Sequence, residues 1–227
     1  MKKSKYLFIG ITFLLSFSCA LFVAMKVFPN NPFSKTKNNT ETSLQNKIQD
    51  GDLIFQTSES SQCEAVRIAT NSKFSHCGLI YKINGNLFVF EAVQPVKLTR
   101  LEDWIQHGKG AKYLIKRLKN ADAVLTPATL QKMKDYSQGF MGKEYDAYFD
   151  WSDTRIYCSE LIWKIYKNAA GIELSKLKQM KDFNLSDARV QKILKERYGN
   201  DIPLDEKVVA PSDLVDSDLL KTVIDTY

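Results

Sequence analysis

The 227 residues carry 32 Lys+Arg against 26 Asp+Glu, a net charge of +6, with 44% hydrophobic residues and only 2 histidines. That length suits one domain with a short appendage, and the apolar content supplies a packed core and excludes global disorder. Much of the basic excess sits near the N-terminus, and no nucleic-acid-binding signature, glycine-rich phosphate loop or internal repeat occurs, so nucleic acid is not an expected partner.

In chain order, MKKSK comes first and is followed by YLFIGITFLLSFSCALFVAM, 20 residues without a charge. As a helix rising about 1.5 Å per residue, this run reaches across a hydrocarbon core of roughly 30 Å. It exceeds the apolar region of about 7 to 15 residues found in a cleaved signal peptide. Residues 1–28 are therefore expected to form an uncleaved membrane anchor, lysines inside and the body on the periplasmic or extracellular side. A cleaved signal and lipidation at Cys19 are the alternatives. Residues 29–47 are polar, aperiodic and rich in Asn and Pro, and read as a linker. The domain is expected over 48–227.

GDLIFQT (51–57) reads as a first strand, and SESSQCEAVRIAT (58–70) as a helix capped by a serine. SHCGLIYKI and NLFVFEAV are two β-rich runs joined across Asn84-Gly85, which predicts a hairpin. KYLIKRL (112–118) is a further strand. Thr126-Pro127 opens a helix running to about Phe140, and GKEYDAYFDWSD (142–153) is irregular and aromatic. A helix starting at Cys158 runs to Gly171, its expected C-cap, and another lies around Ser186 to Tyr198. VVAPSDLVDSDLLKTVI reads as a loop with a final short element. The mixture, with an antiparallel hairpin at its centre, gives an α+β class.

The hairpin allows a test of whether chemistry-bearing residues meet. With a two-residue loop, positions summing to 169 face one another, so Glu91 is the diagonal neighbour of His76 on one face, roughly 7–8 Å away at the backbone. A glutamate side chain can cross that gap. A carboxylate within LFVFEAV is costly to bury unless paired; the competing reading is an edge strand with Glu91 facing water. His107 lies in loop-like sequence with no such partner and receives no role. In the Cys158 helix, Cys158, Leu161, Ile162 and Ile165 share a face, so the sulfur points inward from the first turn, where unpaired N–H groups favour an anion. A cysteine there, a histidine within reach and a carboxylate behind it are the parts that acyl transfer through a thioester needs. The competing reading is a small buried apolar residue. Two histidines supply a zinc site poorly, so neither a metal nor an organic cofactor is expected. Spacing leaves open whether Cys63 and Cys77 pair.

The ordered set GDLIFQ, FSHCGLIY, FVFEAV, GKEYD, YCSELIWKIY and APSDL resembles the circularly permuted papain-like hydrolases of the NlpC superfamily, the YiiX/YaeF-like branch, over about residues 48–227. In that branch the histidine strand precedes the cysteine helix, as here. The resemblance implies Cys158 as nucleophile, His76 as general base and Glu91 as the residue orienting the histidine, with Tyr157 and Tyr145 as substrate contacts. It implies cleavage of an amide in a peptide or peptidoglycan-type substrate. Acyl transfer or ester cleavage on an acyl-lipid by the same site is the alternative, and a catalytically silent, membrane-tethered binding module is the rival of another class. A long apolar cleft favours the acyl-lipid alternative, and a polar open groove favours peptides.

Overall fold

The computed structural model describes Leu44 and residues 46–227. The expected anchor, Cys19 and most of the linker lie outside the described residues. Among the described residues no helix is long and apolar enough to cross a membrane.

The elements in chain order are β1 (Leu53–Gln56), α1 (Ser61–Thr70), β2 (His76–Ile83), β3 (Asn86–Glu91), β4 (Lys97–Arg100), α2 (Leu101–Gln106), β5 (Leu114–Leu118), α3 (Ala121–Val124) and α4 (Pro127–Gln138). There follow α5 (Cys158–Ala170), β6 (Lys178–Gln179), α6 (Ala188–Tyr198), β7 (Lys207–Val208), α7 (Pro211–Val215) and β8 (Leu220–Asp225). Six strands form one antiparallel sheet in the order β4-β3-β2-β1-β5-β8, and β6 and β7 pair separately. The α+β reading holds.

Local chemistry accounts for the frame. Asn84 and Gly85 both take positive φ, 50° and 80°, as a two-residue hairpin turn requires. That turn sets the pairing from Leu79↔Phe90 to Ile83↔Asn86, every pair summing to 169 as expected. Ser60 caps α1 by accepting from the Cys63 N–H, and Thr126 caps α4 by accepting from the Thr129 N–H. Gly171, at φ 71°, closes α5. Where a loop is expected the short helix α7 forms, and the expected final short element is Leu220–Asp225, the sheet's edge strand against β5. Its sequence, LKTVID, is too polar to read as a buried strand, and an edge position tolerates that polarity.

Strand alternation sends Phe55, Cys77, Leu79 and Tyr81 to the side where α5 packs, and Ile54, Ile80 and Val89 to the side covered by α2 through Leu101 and Trp104. Residues Cys158 to Tyr166 of α5 are all buried. The helix is fixed to the sheet through the Tyr166 hydroxyl, which donates to the Gly51 carbonyl at 2.5 Å. Close to its start, Glu160 is fully buried, pairs with Lys164 at 2.8 Å and accepts from the Tyr157 N–H at 3.4 Å. Burial pushes Glu160 up to about 8 against the pull of Lys164.

Gly78 sits between His76 and Ile80, where an added Cβ would stand 2.2 Å from Val89 Cγ1. Overpacking of this kind costs about 1–3 kcal/mol. Gly78→Ala is expected to lower stability by that amount, read as a reduced urea midpoint with an unchanged slope.

Candidate active site

β2 begins at His76, so the imidazole stands at the end of its strand rather than in the middle of the sheet. The adjacent strand carries Glu91 at its last position, 3% exposed, and its Oε2 lies 2.6 Å from His76 Nε2. The expected diagonal pair is therefore formed, and Glu91 does not face water. The sequence reading missed the two residues that hold this carboxylate. Thr99 of β4 donates its hydroxyl to Oε1 at 2.5 Å, and the Trp104 indole N–H of α2 donates to Oε2 at 2.8 Å. The Trp104 ring also stacks on the imidazole, with centroids 5.8 Å apart at 25°. Burial of Glu91 opposes its charge, but His76, Thr99 and Trp104 together hold its carboxyl below the usual range.

Cys158 is the first residue of α5 and is 4% exposed. The groups that act on its thiol are Cys77, through its side chain and its backbone N–H, and His76. Alternation correctly turns Cys77 away from His76, yet that direction is toward α5, so the strand neighbour of the histidine touches the same sulfur. The Cys77 S–H and N–H, with His76 beside them, overcome burial and hold the Cys158 thiol well below its ordinary value. Burial works against a charged His76, but Cys158 and Glu91 prevail and lift the imidazole to about 10. The favoured arrangement at neutral pH is a thiolate beside an imidazolium, with a carboxylate behind the ring. Such a set can attack a carbonyl carbon and return a proton to a leaving group.

Cys63, Cys77 and Cys158 are all free thiols, so the open question of a Cys63–Cys77 bond is answered in the negative. Cys77 belongs to the buried layer under α5, whereas Cys63 lies on α1 and lines the cavity described next.

A cavity of about 670 Å³ opens from His76, Glu91 and Cys158. Much of its lining is apolar, including Val66 and Ala69 of α1, Ile193 and Leu194 of α6, and Met180 and Phe183 between α5 and α6. Tyr145 and Tyr157 both line it. Each is also held by the protein: the Tyr145 hydroxyl accepts from Gln62 Nε2 at 3.0 Å, and the Tyr157 hydroxyl accepts from the Val209 N–H at 3.2 Å. His107, given no role from sequence, borders the same space.

Comparison with known proteins places this geometry in context. The family described as permuted papain-like amidase enzyme, YaeF/YiiX, C92 family, matches residues 47–224. YiiX of Escherichia coli strain K12, an uncharacterized protein, is 45% identical over 175 residues, covering 77% of this chain and 85% of that one. A crystal structure described as metalloprotein yiiX from Escherichia coli O157:H7 superposes with a TM-score of 0.76 at 44% identity, covering 80% of this chain and 99% of that chain.

Proposed function

Since the chain belongs to the permuted papain-like amidase family of the YaeF/YiiX type, we propose that it hydrolyses an amide bond through a thioester on Cys158. The observation that carries the reading is that Cys158, His76 and Glu91 are buried and line one cavity, with His76 Nε2 2.6 Å from Glu91 Oε2. The thiolate forms a bond to the carbonyl carbon. The C–N bond breaks as His76 gives its proton to the departing amine, and water then releases the acid with His76 as base. Glu91 fixes the imidazole's orientation and stabilises its charge.

A second reading concerns the acyl group. The apolar cavity wall favours a long acyl chain over a polar peptide, and hence the acyl-lipid alternative on the same three residues. Peptide and peptidoglycan-type amides are the substrates that a flat chain-length profile would favour. Tyr145 and Tyr157 are proposed to contact the substrate from the cavity wall. The uncharged run at residues 6–25 supports anchorage in the membrane with the domain on its outer side.

The relative described as a metalloprotein does not lend this chain a metal step. Among the described residues no three His, Cys, Asp or Glu side chains converge to hold an ion, and the oxygens of Glu91 are already engaged.

The test is acylation of the full chain by p-nitrophenyl esters with chains from acetyl to palmitoyl, followed by intact mass. An acyl adduct on Cys158, absent in Cys158→Ala, is expected, with rates rising about tenfold or more along the series as methylene burial accumulates at about 0.8 kcal/mol each. Failure to acylate Cys158 with any ester would contradict the reading.

A further inference from the structure

α6 turns one face to the cavity. Val190, Ile193, Leu194 and Arg197 recur at the spacing of a single helix face, and all four line the cavity. The other cations of this helix, Arg189, Lys192 and Lys195, are exposed and stand off the lining. Arg197 is half-buried and is the one charge on an otherwise apolar stripe.

Two contacts fix its guanidinium at the wall. Nη2 donates to Gln62 Oε1 of α1 at 2.7 Å, and the Phe149 ring lies under Cζ with its centroid 5.5 Å away. Gln62 donates in turn to the Tyr145 hydroxyl at 3.0 Å, and Phe149 packs edge-on against Tyr157, the residue before Cys158, with centroids 5.2 Å apart. An arginine that only covered apolar surface with its stem would carry its head out to water, whereas this head is held against two groups that themselves line the cavity. What it lacks is a counter-ion. Among the described residues no carboxylate pairs with Arg197, while Arg117 has Asp52, Arg155 has Asp146 and Asp150, and Arg189 has Asp187 and Glu64. Among the described residues the one carboxylate on the lining is Glu91, which His76, Thr99 and Trp104 already engage.

We propose that Arg197 determines specificity at this site by binding a carboxylate that the amide substrate carries away from the bond that is cleaved. The proposal deepens the hydrolase reading and rests on Cys158 being the nucleophile. A guanidinium offers a planar fork of N–H donors that matches a carboxylate, and Gln62 occupies only part of it. One unpaired positive charge is balanced by one carboxylate. The neighbouring side chains of Val190, Ile193 and Leu194 meet the hydrocarbon part of the same molecule. The substrate class is therefore an anionic amphiphile, an amide with an apolar segment and a carboxylate, and the counter-ion that Arg197 lacks is the substrate.

Matched pairs of esters separate this role from a structural one. The full chain is acylated on Cys158 by p-nitrophenyl esters of fatty acids and, at each length, by the mono-p-nitrophenyl ester of the dicarboxylic acid, from adipic acid upward so that the free carboxylate does not attack its own ester. A second pair carries the carboxylate on the departing phenol instead. In one of the two positions the carboxylate ester is expected to acylate about tenfold or more faster than its neutral partner, and high salt is expected to shrink that preference. Arg197→Met, which keeps the stem and removes the charge, is expected to erase the preference while neutral esters stay within about threefold of wild type, and Arg197→Lys, a charge without the fork, to restore part of it. No carboxylate preference in either position, a preference that persists in Arg197→Met, or neutral and anionic rates falling there by one common factor would overturn the proposal. If no ester acylates Cys158 in the wild type, the nucleophile assignment itself fails, and that failure is visible before any Arg197 variant is compared.

Discussion

His76→Ala is expected to lower hydrolysis by about 10⁴-fold or more, because it removes two functions at once. The imidazolium is one of the groups that hold the Cys158 thiol below its ordinary value, and it is the proposed proton donor to the leaving amine. In the wild type, burial opposes protonation of His76, but Cys158 and Glu91 lift it to about 10. The ion pair therefore spans the pH range from the depressed thiol value up to about 10, and activity has a broad plateau. Without the imidazole the thiol titrates upward, toward the free-thiol region near about 8.5. Residual activity is then expected to rise with pH across the neutral range where the wild type is flat. A pH profile of acyl-enzyme formation checks both magnitude and sign.

The second large effect is expected at Glu91, and it falls on stability as well as rate. Glu91→Ala leaves the His76 ring nitrogen, the Thr99 hydroxyl and the Trp104 indole N–H without their acceptor in a buried site. Breaking a buried charged network by removing one partner costs about 3–5 kcal/mol, so the urea midpoint falls markedly. Hydrolysis is expected to drop by about 10²-fold or more as the ring loses its orientation. Glu91→Gln keeps the shape and an acceptor but removes the charge, and so isolates the electrostatic part. The Glu91 carboxyl is held below its ordinary value of 4.5 in the fold. Its contribution is thus present above about that pH and lost as pH falls through the lowered value. The stability gap between wild type and Glu91→Gln is expected to be full at pH 7 and to shrink in acid below 4.5, a trend that urea titrations at pH 7 and 4 would reveal.

The central pair was legible because a single turn determines it. Asn84-Gly85 admits a two-residue loop, the loop sets the register, and the register makes His76 and Glu91 neighbours. The helix after Cys158 was equally legible from its apolar period. The residues that complete the site were not. Thr99 and Trp104 come from a strand of four residues and a helix of six, both too short for a periodicity, and the helix start at Arg100 has no side-chain cap. The contact between Cys77 and Cys158 joins residues far apart in the chain. Alternation told which way Cys77 points, but only the packing of α5 on the sheet says what it meets.

The most direct test of the account is the pH dependence of Cys158 alkylation by iodoacetamide in the full chain. Cys63 is replaced by serine and Cys77 is kept, because its thiol contacts the sulfur under test. Peptide mass identifies the labelled residue, and His76→Ala is run beside the wild type. The account predicts rapid labelling of Cys158 with a midpoint well below the free-thiol value of about 8.5, shifted upward in His76→Ala. Slow labelling with a midpoint at or above that value, the same with and without His76, would mean that Cys158 is a buried apolar residue and would contradict the proposed hydrolase.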